Sequence, residues 1–270
     1  MPDTIPEPLV LADADGPVLT VTINRPEKRN ATNAEVLCRL YDAWVRLDED
    51  DSLRVAILTG KGSTFCAGMD LAEILLREGI RDNEWITRLQ DDPGISLRAF
   101  LKTYRPTKPI ILAAEGFARA GGTEILQGTD IRIAGESAVF GVTEVQRGLF
   151  PMAGSAVRLR RQISYAVAAE MLLTGEDIPA RRAYELGLIT HVVPDGQALA
   201  RAREIASRIA RNGPLAVKAI LATLRQTECL PEEQAFIIEQ KLGNAVMSSK
   251  DAAEGPLAFL EKREPNFAGE

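Results

Sequence analysis

Hydrophobic and polar positions change rhythm several times along the chain. Residues 18–23 (VLTVTI) alternate apolar side chains with threonine, the period-two pattern of a half-buried strand, and run into Asn-Arg-Pro. Residues 33–47 place Val36, Leu37, Leu40, Tyr41, Trp44, Val45 and Leu47 at helical spacing. The acidic run Asp48-Glu49-Asp50-Asp51 closes that segment and reads as a solvated turn. Short unbroken apolar runs follow at 55–58 (VAIL), 110–114 (IILAA) and 131–134 (IRIA), as buried strands would. Helical stretches lie between them, so an α/β core with crossover connections is expected. Residues 77–94 are polar, charged and end in Pro-Gly, which predicts weak packing and a mobile flap.

From Ser155 the character changes. Helical patterns cover 155–172, 179–186, 196–211, 214–227, 231–247 and 251–262. Pro231-Glu232-Glu233 is a helix opening, with proline in the first turn and acids at the positive end of the dipole. Two regions are therefore expected: an α/β core over 1–195 and a helical extension over 196–270.

Composition narrows the chemistry. The 270 residues are 46% hydrophobic and 26% charged, enough for a sizeable core. A net charge of −6 argues against a nucleic-acid partner. His191 is the one histidine, so sites built on two or three histidines are excluded. Cys38, Cys66 and Cys229 lie far apart and suggest neither a disulfide framework nor a metal knuckle. No metal is expected. No run approaches the ~18 apolar residues of a membrane span. The opening MPDTIPEPLV lacks a basic segment followed by an apolar one, so no secretory signal is expected and the cytoplasm is the default compartment.

Dinucleotide and nucleophile motifs fail: Gly60-Lys61-Gly62 lacks a third glycine, and neither GxxxxGK[ST] nor GxSxG occurs. Three glycine-containing turns remain, each after an expected strand. In Phe65-Cys66-Ala67-Gly68-Met69-Asp70-Leu71, small residues allow close backbone approach, and Asp70 can cap a following helix. In Gly116–Glu124, Gly121 and Gly122 open a helix whose first turn carries Glu124. In Phe140–Glu144, an acid stands in a modestly apolar stretch that favours its protonated form. Taken singly, each reads first as an ordinary turn or a solvated acid. Together, two amide-rich turns and two carboxyls suit enolate chemistry on an acyl thioester. Two N–H donors stabilise the oxygen, one carboxyl moves a proton and the other holds a water.

These segments resemble the enoyl-CoA hydratase/isomerase (crotonase) superfamily. The resemblance rests on INRPEKRNATN (23–33), FCAGMDL (65–71), the stretch from Gly116 through Glu144 to Gly154, LLTGEDIPARRAYELGLITHVVP (172–194) and FLEKREPNF (259–267), in family order. It implies a spiral core of repeated ββα units and a helical C-terminal trimerisation region. It implies Met69 and Gly121 as backbone oxyanion donors, and Glu124 and Glu144 as the catalytic acids of the hydratase branch. It places Lys28, Arg29, Ala67, Gly68, Asp70 and Leu71 around the CoA thioester, with Phe259 and Lys262 reaching a neighbouring subunit's CoA. The implied reaction is reversible syn addition of water to a trans-2-enoyl-CoA. The alternative is a Δ3,Δ2-enoyl-CoA isomerase or another acyl-CoA enzyme of the superfamily. The implied partners are the acyl-CoA substrate and further copies of the chain, as a homotrimer or dimer of trimers. No cofactor is implied, because CoA belongs to the substrate. Three positions depart from the family pattern. Ala120 stands where a glycine is common and is expected to be tolerated. Thr123 stands where Cys or a small residue is common. Pro151-Met152-Ala153-Gly154-Ser155-Ala156 replaces a common Pro-Gly-Ala-Gly-Gly-Thr stretch.

Overall fold

The computed structural model describes residues 7–74 and 83–270. The chain winds through repeated turns of strand, strand and helix. The first turn is β1 (Val10–Asp15), β2 (Val18–Ile23) and α1 (Ala34–Glu49). The second is β3 (Val55–Gly60), an extended piece at Phe65 and Cys66, and α2 (Leu71–Ile74). After α3 (Glu84–Asp91) and α4 (Gly94–Ala99), the third turn is β4 (Ile110–Ala114), β5 (Phe117–Arg119) and α5 (Gly121–Leu126). The fourth is β6 (Ile131–Gly135), β7 (Val139–Gly141), a 3-10 turn at Glu144–Arg147 and α6 (Ser155–Gln162). Then come α7 (Tyr165–Thr174), β8 (Ile178–Pro179), α8 (Ala180–Glu185), β9 (His191–Val193), α9 (Ala198–Ala210), α10 (Pro214–Gln226), α11 (Glu232–Met247) and α12 (Lys250–Glu261).

Both strands of the first turn and the first strand of each later turn enter a six-stranded sheet of order β1-β2-β3-β4-β6-β9, parallel except for β1 on β2. The second strands of the third and fourth turns form, with β8, a smaller sheet, β5-β7-β8. Two isolated parallel bridges extend that stacking to earlier turns, Cys66 beside Ala118 and Thr32 beside Met69. Equivalent pieces of successive turns therefore lie side by side. This stacking brings distant glycine turns to one place.

A mostly parallel sheet has to be covered on both faces. Along β3, Ala56 and Leu58 enter the core shared with α1, while Val55 and Ile57 face the opposite side. On that side α9 lays Ala198, Ala202 and Ala206, spaced by four, against Val55, Ile57, Ile111, Ala113 and Ile133. The helix that the expected 195/196 boundary assigned to the extension is thus part of the core. Beyond it, α10 is tied back by Arg225, whose guanidinium donates to both Asp130 carboxylate oxygens at 2.8 and 2.9 Å.

Three other expectations change. The single helix at 155–172 is two, because the backbone extends at Ile163 and Ser164 before α7 begins. The acidic run is not only a solvated turn: α1 continues through Glu49, and the Asp48 carboxylate accepts from Tyr104 Oη (2.6 Å) and Thr107 N (2.7 Å). Of the expected flap, 77–82 lies outside the described residues. Residues 84–91 are helix α3, capped by the Asn83 side chain and held to α1 by the Arg88–Asp42 pair.

Candidate active site

Two backbone segments laced together form the floor of the site. Phe65 N donates to Glu115 O (2.7 Å), Cys66 N to Phe117 O (2.9 Å) and Arg119 N to Cys66 O (3.0 Å). On the other flank, Thr32 N donates to Gly68 O (2.8 Å) and Asp70 N to Thr32 O (2.9 Å). That pairing consumes the groups on either side of Met69 and leaves its own N–H without a partner among the described residues. Gly121 N, at the first position of α5, is likewise unpartnered there.

The glycines make this contact possible. Gly68 has φ +99°, and a Cβ on it would lie 2.8 Å from the Ala120 methyl and 3.5 Å from Gly121 N. A Cβ on Gly122 would lie 2.5 Å from the Cys66 carbonyl oxygen. Phe100, at the end of α4, presses its ring to within 3.0 Å of where a Gly121 Cβ would stand. Two free N–H donors thus sit on abutting segments, the arrangement that binds a carbonyl oxygen gaining negative charge.

Ala120 is less tolerant than the sequence implied. It precedes α5 with φ +48° and ψ −121°, a conformation glycine adopts and alanine resists. Ala120→Gly is expected to stabilise the fold by about 1 kcal/mol, the relieved strain exceeding the added chain entropy. A shift of the urea midpoint to higher concentration would show it; an unchanged or lower midpoint would mean the strain is negligible.

The two acids differ in setting. Glu124 is 4% exposed on α5. Its carboxylate accepts from Ala153 N (3.0 Å) and Ser155 N (3.1 Å). Burial raises its pKa, and these backbone donors pull the other way. Glu144 opens the 3-10 turn after β7, one spiral turn further on. Its Oε2 is buried without a hydrogen-bond partner. Burial, helped by the nearby Glu124 charge, pushes its pKa up to about 7. Near neutrality, therefore, Glu144 holds or releases a proton readily.

Known proteins match this chain closely. The family described as Enoyl-CoA hydratase/isomerase matches residues 13–270. The chain belongs to the enoyl-CoA hydratase/isomerase family. An enoyl-CoA hydratase of Mycobacterium tuberculosis is 52% identical over 263 residues, covering 96% of each chain. The 2,3-dehydroadipyl-CoA hydratase of Escherichia coli is 35% identical over 252 residues, covering 93% of this chain and 95% of that one. The crystal structure of an enoyl-CoA hydratase from Mycobacterium marinum superposes with a TM-score of 0.88 at 40% identity, covering 98% of this chain and 100% of that one. The crotonase-like fold, a spiral α/β core followed by helices, is thereby established.

Within this family member, the remaining candidate residues divide. Lys28 and Arg29 stand exposed on the loop after β2. Arg29 O accepts from Ala67 N (3.0 Å), which holds that cationic loop against the Ala67–Gly68 turn. Leu71 begins α2 and is half-buried. The Asp70 side chain is already committed to the fold. It takes the Arg25 guanidinium (2.8 Å) and caps Glu73 N (3.2 Å), which together outweigh its burial and lower its pKa. Phe259 and Lys262 do not meet the site within one chain; both are exposed at the end of α12, which packs on α11. Sequence reading missed Arg25, Phe100 and Gln127. Their roles come from partners far away in the chain, for which local spacing holds no signal.

Proposed function

We propose that this protein is an enoyl-CoA hydratase, a hydro-lyase that adds water reversibly to a trans-2-enoyl-CoA to give a 3-hydroxyacyl-CoA. The observation that carries the reading is a pair of carboxyls in unequal settings, Glu124 buried and Glu144 half-buried, one spiral turn apart, together with two backbone donors unpartnered among the described residues. The thioester oxygen accepts from Met69 N and Gly121 N. The Glu124 carboxylate takes a proton from a water as the water oxygen bonds to C3. Charge builds on the thioester oxygen as an enolate, which the two donors stabilise in the transition state. Glu144, protonated, delivers its proton to C2, and the addition is syn because both acids work from one side. An exchange of protons between the two carboxyls then restores the starting state.

Lys28 and Arg29 take the CoA phosphates in this reading, which their exposure and positive charge support. Ala67, Gly68 and Leu71 line the approach to the thioester. The apolar residues that α10–α12 leave exposed, among them Ile220, Leu224, Ile237 and Leu260, support self-association as a homotrimer or dimer of trimers. In such an assembly Phe259 and Lys262 reach a neighbouring copy's CoA. We place the enzyme in the cytoplasm, in β-oxidation-type degradation of acyl-CoA. No helix among the described residues is long and apolar enough to cross a membrane. The test is the loss of enoyl-thioester absorbance on adding the protein to trans-2-enoyl-CoAs of graded chain length. Hydration of at least one is expected. Binding of CoA thioesters with no hydration of any would overturn the reading.

A further inference from the structure

The proposed reaction uses two carboxyls in opposite protonation states, so the site needs a device that tells them apart. Buried behind Glu124 are two polar side chains the reaction does not touch, Gln127 and Ser155. Gln127 Nε2 donates to the Thr123 carbonyl at 3.2 Å and to Ser155 Oγ at 2.8 Å. A carbonyl oxygen can only accept, so the amide end facing Thr123 has to be the NH2. Ser155 Oγ therefore accepts from Gln127, and its own proton must find another acceptor. The Ser155 backbone N–H already binds Glu124 Oε1 at 3.1 Å, which sets that carboxylate beside the same residue as a charged acceptor. The relay has a rigid base. The Gln127 main-chain carbonyl accepts from Gln162 Nε2 (3.0 Å) and from the Arg132 guanidinium (3.3 Å), while the side-chain Oε1 is buried without a partner among the described residues.

We propose that Gln127 and Ser155 are positioning residues for Glu124: the Gln127 amide orients the Ser155 hydroxyl so that its proton points to the Glu124 carboxylate. This deepens the hydratase reading and rests on it for the roles of the acids. Glu124 then collects the Ala153 and Ser155 backbone donors and a hydroxyl, whereas Glu144 Oε2 has no donor. Donors of this kind stabilise the charged form. Glu124 accordingly stays a carboxylate, ready to accept a proton from water, at a pH where Glu144 keeps its own. Two charged groups face Glu124 from packed elements: Glu144 on the 3-10 turn and Arg158 on α6. They act with opposite sign, and neither is altered by changing Gln127 or Ser155.

The test is a carbon-13 NMR titration of the full-length protein labelled at the glutamate carboxyls, the Glu124 signal being assigned with Glu124→Gln. Wild type, Ser155→Ala, Gln127→Met and Ser155→Thr are compared, with thermal unfolding as the folding check. Removing one hydrogen bond to a charged group raises its titration midpoint by about one pH unit. That rise is expected for Glu124 in Ser155→Ala and Gln127→Met, while Ser155→Thr, which keeps the hydroxyl, returns it to wild type. The acidic limb of the kcat/KM profile for hydration should move up by the same amount, with the alkaline limb in place. A folded Ser155→Ala or Gln127→Met with an unmoved Glu124 midpoint overturns the relay, as does a Ser155→Thr midpoint displaced as far as that of Ser155→Ala. Should Ser155→Ala fail to fold, Gln127→Met carries the test. The titration needs no substrate, so the two readings fail separately. A moved midpoint in a protein that hydrates nothing keeps the relay and removes the hydratase.

Discussion

Glu144→Gln is expected to cut the hydration rate by a factor of about 10² to 10⁴ and, above neutral pH, to make the protein more stable. The rate loss is the usual contribution of one positioned proton donor. It should fall on kcat with KM little changed, since the carboxyl delivers its proton in the transition state and binds little in the ground state. The stability gain follows from the raised pKa. The folded protein keeps the Glu144 proton up to about pH 7, against 4.5 for the free side chain. A raised carboxyl favours the folded state fully below its unfolded pKa, and that contribution is lost as pH climbs through the folded value. An amide never ionises, so the variant escapes the loss. Its melting temperature should exceed wild type at about pH 8.5, and the advantage should be gone near about pH 4. Thermal melts at the two pH values, beside steady-state kinetics, check both halves. A variant that keeps most of its turnover would remove Glu144 from the reaction. Equal melting offsets at both pH values would mean that the carboxyl is not held protonated by burial.

Gly122→Ala should damage fold and site together. The added Cβ would stand 2.5 Å from the Cys66 carbonyl oxygen and 3.1 Å from the Cys66 Cβ. A clash with backbone is not relieved by a rotamer change. The Cys66 strand piece is also pinned to β5 through both its N–H and its carbonyl, by Cys66 N to Phe117 O and by Arg119 N to Cys66 O. Relief has to come from parting the two segments that carry Met69 and Gly121. We expect a loss of roughly 3 kcal/mol, at the upper end of overpacking costs, and activity reduced about a hundredfold, the effect of misaligning one oxyanion donor. Chemical denaturation and enoyl-CoA turnover measure the two. Wild-type values for both would show that the segments part without cost and that their close approach is not what builds the donor pair.

Much of this molecule could be read in advance, and the reason differs from segment to segment. The strands at 18–23, 55–60, 110–114 and 131–135 are buried and apolar over enough residues to announce themselves. The helices at 198–210, 214–226, 232–247 and 250–261 fall within a residue or two of their patterns. The strands that escaped are β1, whose VLADAD carries two aspartates, and the short β5, β7, β8 and β9, of two or three residues each. A run so short has no period to detect, and its extended state comes from pairing with the neighbouring spiral turn. The position of α9 escaped for a related reason. Its alanine stripe announces a helix that approaches something closely, but not that the second face of the sheet is what it approaches.

The chain by itself determined which residue types are available: two free-standing acids, two glycine turns after buried strands, a single histidine and no metal-ligand spacing. Those are properties of composition and local order, which survive in a list of letters. Tertiary structure alone decided that the Met69 and Gly121 N–H groups have no partner among the described residues and that Asp70 spends its charge on Arg25. It also left Glu144 Oε2 without a partner among the described residues while Glu124 received two backbone donors. Hydrogen-bond supply and burial are set by what the fold brings within about 3 Å. Two glutamates identical in the sequence come to hold their protons differently only once each has its neighbours.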